Sequence, residues 1–330
     1  MQRLCDRCGM RPAAVFQPHS GKALCSECFF DDITARVKRE VERWRMIEPG
    51  DVVLLALSGG KDGYTLLDVM SRIYKPDRLI GLNIVEGIHG YNKEEDAGYL
   101  VKTAKELGVD VIVTSIKEYV GFSVDEIMAK ARDASSRISA CTYCGISRRR
   151  IMNYYARELG VNKLATAHNL DDESQTAVIN ILRGDLQSLL RQHPLAELVK
   201  DPMLIRRIKP LRKIYEWETA TFTMLKGYHI QETECPYIYQ LPTLRAKVRR
   251  ELYKYESEHP GSLLAFMESL DRLLEPLASK VTPKSGLGRC VRCGEPTANG
   301  KALCKLCELL EGVGITRPLY AVRKLKVVAR

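Results

Sequence analysis

Residues 52–65 read VVLLALSGGKDGYT: an apolar run of β type breaks into the stretch SGGKDG at 58–63 and then continues with a helical pattern. Glycines let a backbone approach a ligand closely, and the start of the next helix offers free N–H groups and a positive dipole end. Lys61 adds a point charge for an anionic oxygen, and the Asp62 carboxylate suits a magnesium-bound pyrophosphate leaving group. The stretch therefore predicts a phosphate-binding loop between a strand and a helix.

This loop differs from the Walker P-loop. That motif needs four residues between its first glycine and the Gly-Lys pair, and a serine or threonine directly after the lysine, whereas Asp62 follows Lys61 here. The alternative is an ordinary glycine-rich turn. Because serine, two glycines, lysine and aspartate occur together, we favour a phosphate loop of another class.

From residue 52 onward, strand and helix patterns alternate. We predict strands at VVLLAL, LIGLNIV, VDVIVTSI and VNKLATAH, and helices at Tyr64 to about Tyr74, Glu94–Leu107, Ile146–Leu159 and Asp172 to about Leu190. Such alternation indicates an α/β fold, a doubly wound parallel sheet with helices on both faces and right-handed crossovers. Ligands of these sheets bind outside the carboxyl ends of the strands.

Each polar motif follows a predicted strand. The 58–63 loop follows the first strand, EGIHGY at 86–91 follows the second, and HNLDD at 168–172 follows the fourth. We therefore expect the three motifs to converge on one crevice. Asp171 and Asp172 also stand at a predicted helix start, where carboxylates are favoured, so helix capping is the alternative role for one of them.

The eleven cysteines divide into two sets of four and one set of three. Two paired Cys-x-x-Cys knuckles supply the four thiolates of a closed, structural zinc site. We predict zinc ribbons at both ends of the chain, with His19 and His193 as surface or core histidines rather than ligands. The predicted zinc ligands are Cys5, Cys8, Cys25 and Cys28, then Cys290, Cys293, Cys304 and Cys307.

Cys141, Cys144 and Cys235 form the remaining set. Three thiolates leave one coordination position free, and this number of ligands fits a [4Fe–4S] cluster in which one iron has no cysteine ligand. A redox or persulfide pair made of Cys144 and Cys235, or a purely structural site, are the alternatives. Without an apolar signal segment or a membrane-spanning stretch, we expect the reducing cytosol, no membrane association and no structural disulfides.

Length and charge suggest the remaining organisation. The chain of 330 residues is longer than one hydrophobic core usually supports, so we expect several structural units. We predict a ribbon at 1–30, a linker helix within 31–50, a catalytic domain at 51–200, a basic helical extension at 201–284, and a second ribbon with a tail at 285–330. A formal charge of +10 favours a polyanionic partner, with solvated charged faces as the alternative. The basic positions beyond residue 200 are Arg206, Arg207, Lys209, Arg212, Lys213, Arg245, Lys247, Arg249, Arg250, Arg323, Lys324, Lys326 and Arg330.

With these motifs assembled, the chain resembles the TtuA/Ncs-type tRNA 2-thiolation family of the PP-loop ATP pyrophosphatase superfamily, which has the adenine nucleotide alpha hydrolase-like fold. The resemblance runs from end to end. It rests on GKALCSECFF, SGGKDG, EGIHGY, CTYCG with the arginines at 148–150, AHNLDDE, RGD at 183–185, ECPY around Cys235, and the C-terminal ribbon.

The resemblance implies an enzyme that adenylates the C2 oxygen of a tRNA uridine with ATP and Mg²⁺ and then replaces AMP with sulfur. It implies adenosine contacts from the backbone at Ala56, Ile84 and Ala167, and phosphate contacts at 58–63. The implied catalytic residues are Lys61, Asp62, Arg148 and Asp172, and the implied [4Fe–4S] ligands are Cys141, Cys144 and Cys235; the phosphate-loop positions are Ser58, Gly59, Gly60, Lys61, Asp62 and Gly63.

Three positions depart from the family pattern. Gly63 stands where relatives usually have serine, so Thr65 or backbone amides would have to compensate; Val85 replaces an aspartate, and Ala167 replaces a glycine. The family modifies U34 or U54, and similarity of the first ribbon to the wobble-type enzymes favours U34. The sulfur donor is a ubiquitin-like protein thiocarboxylate or sulfide, and a homodimer is expected. A cluster-free persulfide relay, or a non-catalytic RNA-binding module with structural ATP, are the alternatives.

Overall fold

The computed structural model describes residues 3–92, 94–231, 233–238, 244–283 and 286–316. It begins with a small antiparallel hairpin of β1 (Val15–Gln17) and β2 (Lys22–Leu24), followed by helix α1 (Ser26–Arg43). Together we call residues 3–43 the N-terminal module. Phe29, Ile33 and Val37 on α1 pack into the same apolar core as Val53 and Leu55 of the main sheet. The module is thus fixed to the sheet through α1.

The main sheet has five parallel strands, β3 (Val53–Ala56), β4 (Leu79–Val85), β5 (Asp110–Ser115), β6 (Lys163–Thr166) and β7 (Arg206–Ile208). Their spatial order is β5-β4-β3-β6-β7, and every neighbouring pair is parallel. The chain order reverses direction between β3 and β6, so the ligand crevice of such a sheet lies there. This confirms the predicted doubly wound α/β fold.

Helices cover both faces of the sheet because the central strands are apolar on both sides. Val53 and Leu55 face the core with α1, whereas Leu54 faces a second core that includes Ile151 and Tyr155. The helices between the strands are α2 (Lys61–Ile73), α3 (Glu94–Glu106), α4 (Ile116–Val120), α5 (Val124–Asp133), α6 (Ala140–Glu158), α7 (Leu170–Leu182) and α8 (Leu186–Leu190), with a short 3-10 turn at Pro76–Arg78.

Three further helices follow the sheet, α9 (Glu216–Lys226), α10 (Leu244–Glu258) and α11 (Ser262–Ala278). The C-terminal part adds a second small hairpin, β8 (Gly288–Arg289) and β9 (Pro296–Thr297), and helix α12 (Lys305–Glu311). Within the described ranges, no helix combines the length and apolar character needed to cross a bilayer.

Several predicted elements need correction. The helix predicted from Asp172 to about Leu190 is two helices, because Gly184 takes a left-handed conformation (φ +64°) and Asp185 begins α8 by accepting a hydrogen bond from the Ser188 backbone N–H (2.9 Å). The helix predicted from Ile146 starts at Ala140 instead. The segment beyond residue 200 is not only helical, since β7 completes the sheet with the sequence RRI, which carries a single apolar residue.

The predicted domain limits stay predictions. The basic residues Arg323, Lys324, Lys326 and Arg330 lie outside the described residues.

Candidate functional site

The 58–63 loop has the backbone of an anion cradle. Gly59 has a positive φ (+77°), and Gly60 precedes the first turn of α2 without any side chain capping that turn among the described residues. A Cβ at Gly63 would lie 3.2 Å from the Ser58 backbone nitrogen, so glycine lets the helix start close to the loop. The free N–H groups of this helix start point to where an anion would bind.

Thr65 does not replace the hydroxyl missing at Gly63. Its side chain is buried and donates to the Lys61 carbonyl one turn earlier (2.9 Å). The sequence predicted that either Thr65 or backbone amides replace the missing hydroxyl contact. Since Thr65 is engaged within its own helix, backbone amides are the remaining candidates.

Lys61 and Asp62 belong to one polar network. Asp62 Oδ1 accepts hydrogen bonds from Thr219 Oγ1 (2.6 Å) and Asn169 Nδ2 (3.1 Å). Lys61 Nζ lies 3.2 Å from Asp62 Oδ2 and 3.1 Å from Glu216 Oε1. Burial alone would lower the pKa of Lys61, but these two carboxylates raise it, so the side chain is held as a cation next to the loop.

The start of α7 brings the fourth-strand motif to the same place. Asn169 caps the helix by accepting from the Asp172 N–H (2.9 Å), and the Asp172 carboxylate lies 3.4 Å from the Asn169 nitrogen. Burial raises the pKa of Asp172, and the nearby Asp62 adds to the effect. Asp172 is therefore part of a capping box, while Asp171 accepts from the Glu216 backbone N–H at the start of α9 (2.7 Å). Each carboxylate thus accepts a hydrogen bond from a backbone N–H at the start of a helix, Asp172 at α7 and Asp171 at α9.

The three positions expected near adenosine lie along one edge. Ala56 ends β3 in register with Thr166, which directly precedes Ala167, and Ile84 is close to the end of β4. The Ile84 carbonyl already accepts from Asn92 Nδ2 (3.2 Å). The structure thus places these residues at the crevice, and their contacts with a nucleotide remain predictions.

Cys141 and Cys144 lie in the first two turns of α6, and Cys235 lies in the described segment 233–238. Burial raises the pKa of Cys144 to about 12; Glu86 and the other two thiols also raise it, while Arg148 opposes them. The three thiols are therefore close enough to interact electrostatically.

Their spacing differs from that of the other two cysteine sets. In the described residues, the compact groups whose sulfurs all lie within 4.8 Å of one another are the two four-cysteine sets. At least one pair in the trio is farther apart, which suits a group larger than a single zinc ion.

The trio is connected to the phosphate loop through its own chain. The Gln231 backbone N–H donates to the Gly59 carbonyl (3.1 Å), and Cys235 is four residues later, at most about 14 Å of extended chain. Tyr237 OH and the His89 backbone N–H both donate to Asp125 (2.7 and 2.8 Å), which ties the cysteine segment to the loop after β4.

Glu86 and Arg148 form an ion pair next to Cys144. Glu86 is 1% exposed, accepts a hydrogen bond from Asn92 Nδ2 (2.5 Å) and lies 3.4 Å from Arg148 Nη1. Burial would lower the pKa of Arg148, but Glu86 and Cys144 raise it, so the guanidinium stays charged.

The sequence motifs include Glu86 and Asn169 without indicating a role for either, and they do not include Glu216 or Thr219. Only Asn169 had a local signal, because asparagine before LDD is typical of a helix N-cap.

The two four-cysteine sets are as compact as predicted. Cys8 and Cys25 sulfurs are 4.0 Å apart, and those of Cys293 and Cys304 are 3.6 Å apart. Four mutually close thiols fit tetrahedral zinc. The rings of His19 and His193 pack against Tyr215 (5.1 Å between centroids) and Trp44 (4.8 Å) respectively, outside both sets.

Several basic residues assigned to a polyanionic partner pair with carboxylates of the chain itself. Arg212 is 1% exposed and donates to Glu40 and Asp271 (2.6 to 2.8 Å). The others with carboxylate partners are Lys209 with Glu173, Lys213 with Glu268 and Asp271, Arg245 with Asp172, Arg249 with Glu216, and Arg250 with Glu251. Net charge alone does not distinguish a cation that is paired with a carboxylate of the chain from one that is available to a partner.

Comparisons with known proteins identify the families and chains to which this one is similar. Residues 4–30 match the family described as "2-thiouridine synthetase TtuA, N-terminal LIM domain", and residues 33–255 match the PP-loop domain. The chain is 32% identical over 325 residues to the tRNA 2-thiolation protein NcsA of Haloferax volcanii (94% of this chain, 98% of the relative). It is 36% identical over 310 residues to the tRNA-5-methyluridine(54) 2-sulfurtransferase of Thermus thermophilus (94% and 92%).

A solved structure, the U34-tRNA thiolase NcsA from Methanococcus maripaludis with its [4Fe–4S] cluster, is similar over most of both chains. Its TM-score is 0.72 at 30% identity, covering 94% of this chain and 96% of that one.

Proposed function

This chain belongs to the TtuA/NcsA-type family of tRNA 2-thiolation proteins with a PP-loop domain, and we propose that it is an ATP-dependent tRNA uridine 2-sulfurtransferase. The observation that carries the proposal is the link between the phosphate loop and the segment that contains Cys235. The segment leading to Cys235 is hydrogen-bonded to the phosphate loop through Gln231 and Gly59.

The residues of the crevice suit adenylation. Uridine O2 would attack the α-phosphorus of ATP, pyrophosphate would leave, and the proton from N3 would pass to solvent or a nearby carboxylate. Ser58, Gly59 and Gly60 would hold the phosphates with the N–H groups of α2, and Asp62 and Asp172 would hold Mg²⁺. Lys61 and Arg148 are cations held by carboxylates, so they would offset charge that develops on the phosphorus oxygens.

The second half of the reaction replaces AMP. A sulfur nucleophile would add to C2 of the adenylated base, and AMP would leave with the former O2. Cys141, Cys144 and Cys235 would hold a [4Fe–4S] cluster. When bound through three thiolates, such a cluster has one iron free to hold the incoming sulfur. Arg148, next to Cys144, would keep a positive charge between the sulfur and the nucleotide.

The two four-cysteine sets would each hold one structural Zn²⁺ through four thiolates, with no open position for catalysis. We further propose U34 as the modified position, a cytosolic location and a homodimer. The sulfur would come from a ubiquitin-like protein thiocarboxylate or from sulfide.

The central test uses full-length protein purified without oxygen. Wild type should show the broad visible absorption of an iron–sulfur cluster and should thiolate tRNA with release of AMP and pyrophosphate. Cys235→Ala should lose both the absorption and thiolation, whereas Thr142→Ala, a change between the two cysteines of α6, should keep both. Full thiolation by Cys235→Ala would refute the cluster assignment.

The same preparations separate the alternatives. Thiolation by iron-free protein would favour a persulfide relay between Cys144 and Cys235. Absence of tRNA-dependent AMP and pyrophosphate would favour a non-catalytic RNA-binding module. For the modified position, tRNA transcripts with cytidine at 34 or at 54 serve as substrates, followed by nucleoside mass analysis; loss of thiolation only with cytidine at 54 would overturn the choice of U34.

A further inference from the structure

Helix α9 lies between the phosphate loop and the N-terminal module, and two different faces of its first two turns contact the two. Glu216, Thr219 and Thr223 share one face by helical spacing, while Glu218 and Phe222 share the other. At the start of the helix, the Glu218 carboxylate accepts a hydrogen bond from the Tyr215 backbone N–H (3.0 Å). Its start is thereby fixed by one of the side chains that also contacts the module.

The first face holds the two charged residues of the phosphate loop. Glu216 Oε1 lies 3.1 Å from Lys61 Nζ, and Thr219 Oγ1 donates to Asp62 Oδ1 (2.6 Å). The Thr65 hydroxyl on α2 also lies 3.4 Å from the Thr219 carbonyl. Lys61 and Asp62 therefore take their positions from α9 as well as from their own helix.

The second face is held by the N-terminal module. Glu218 is fully buried (0% exposed), and its Oε1 accepts from Gln17 Nε2 (3.1 Å) on β1 and Arg36 Nη1 (2.5 Å) on α1. The Phe222 ring packs edge-on against Phe30 of α1, with 4.9 Å between centroids. A buried carboxylate is tolerated only when such partners compensate its charge, so α9 has one favourable position against the module.

We propose that Gln17 and Arg36 are positioning residues of the nucleotide site, acting through Glu218 and α9 on Lys61 and Asp62. The N-terminal module would then contribute to ATP binding itself. This inference rests on the proposed function, in which Lys61 and Asp62 bind ATP and Mg²⁺. The physical reason is that a helix transmits a displacement of its start as a rigid element, and hydrogen bonds at 2.5 to 3.1 Å on both faces leave little room for independent movement.

The test measures Mg-ATP binding to full-length protein by titration calorimetry without RNA. The variants are Gln17→Leu, which removes the amide donor, Arg36→Leu, which removes the ion pair, and Arg36→Lys, which keeps the charge. Arg43→Leu is the matched control, because Arg43 is also on α1 and also pairs with a glutamate (Glu268, 2.9 Å), but toward α11. Gln17→Leu removes no charge, so it stays informative if Arg36→Leu does not fold.

We expect Gln17→Leu and Arg36→Leu to raise the dissociation constant for Mg-ATP at least about threefold, Arg36→Lys to restore most of the affinity, and Arg43→Leu to stay within about twofold of wild type. A merely structural role would lower the binding stoichiometry, as folded protein is lost, and leave the dissociation constant unchanged; that result overturns the inference.

An equal loss of affinity in Arg43→Leu also overturns it. If wild type does not bind Mg-ATP at all, the proposed function fails together with the inference; if wild type and the variants bind equally well, only the inference fails.

Discussion

Asp171→Asn should stabilise the protein at neutral pH, an unusual direction for a change in a buried polar residue. Asp171 is buried, and burial raises its pKa to about 6 from an ordinary value near 3.8. Its Oδ2 accepts from the Glu216 backbone N–H (2.7 Å), a hydrogen bond that an asparagine oxygen can also accept. The substitution therefore removes a charge that burial disfavours and keeps the contact that holds the start of α9.

The magnitude follows from proton linkage. Because the folded state binds the proton more tightly than the unfolded state, the ionised carboxylate costs stability above pH 6, and this cost disappears as the pH falls toward 4. The displacement of the pKa corresponds to a cost of about 3 kcal/mol at neutral pH. The N–H hydrogen bond is stronger to a charged acceptor than to an amide, so we expect a net gain of about 1 to 2 kcal/mol.

Urea denaturation at a series of pH values from 4 to 8 measures this difference. The stability of Asp171→Asn minus that of wild type should be positive at pH 7 and should shrink between pH 6 and pH 4, and taking the difference removes the titration of all other carboxylates. Asp185→Asn is the control, since its hydrogen bonds to Ser188 lower the pKa of Asp185, and the expected sign is opposite. A destabilised Asp171→Asn at pH 7 would show that the carboxylate is charged and well compensated, contrary to this reasoning.

Three further predictions concern other contacts. Thr219→Val should raise KM for ATP about tenfold in steady-state kinetics, because it removes a hydrogen bond to the Asp62 carboxylate, whereas Thr219→Ser should stay near wild type; equal values for both would contradict the role of the hydroxyl. Arg212→Leu should cost about 3 to 5 kcal/mol of unfolding free energy by removing the buried guanidinium that pairs with both Glu40 and Asp271, and Arg272→Leu, at a site 76% exposed, less than about 1 kcal/mol; similar losses would refute the assignment. Cys307→Ser should lower the zinc content from about two ions per chain to about one by elemental analysis, and an unchanged content would exclude a C-terminal zinc site.

The sequence was sufficient for the parts of the site that are local in the chain. SGGKDG carries the loop geometry in its own glycines, and the Cys-x-x-Cys spacings identify the two compact thiol groups because a knuckle is built from neighbouring residues. The convergence of the loop with HNLDD also followed, because parallel strands end at one edge and β3 and β6 are adjacent.

The parts that failed depend on contacts between distant segments. Glu216 and Thr219 come from a helix more than 150 residues after Lys61 and Asp62. The residue pattern of neither segment predicts that the two segments are in contact. Arg212 illustrates the same limit for charge. The sequence of a basic run does not indicate whether an arginine faces solvent or pairs with two buried carboxylates, as Arg212 does. The break at Gly184 was visible as a glycine, but helical periodicity continues on both sides of it and outweighed the local signal.

The position of Cys235 relative to the phosphate loop follows from the same helix that holds Lys61. After α9 ends at the left-handed Gly227, Tyr228 stacks on Tyr64 of α2 with 5.3 Å between centroids, and its hydroxyl donates to Asp68 on that helix. The chain then runs back along α2 to the hydrogen bond between Gln231 and Gly59 and continues to the cysteine. Because α9 and α2 are packed together, a cysteine that would hold the cluster and the loop that would activate the base both adjoin the same pair of helices. A displacement of α9 should therefore alter ATP binding and the position of Cys235 together, which is the coupling that a reaction with adenylation and sulfur transfer on one base requires.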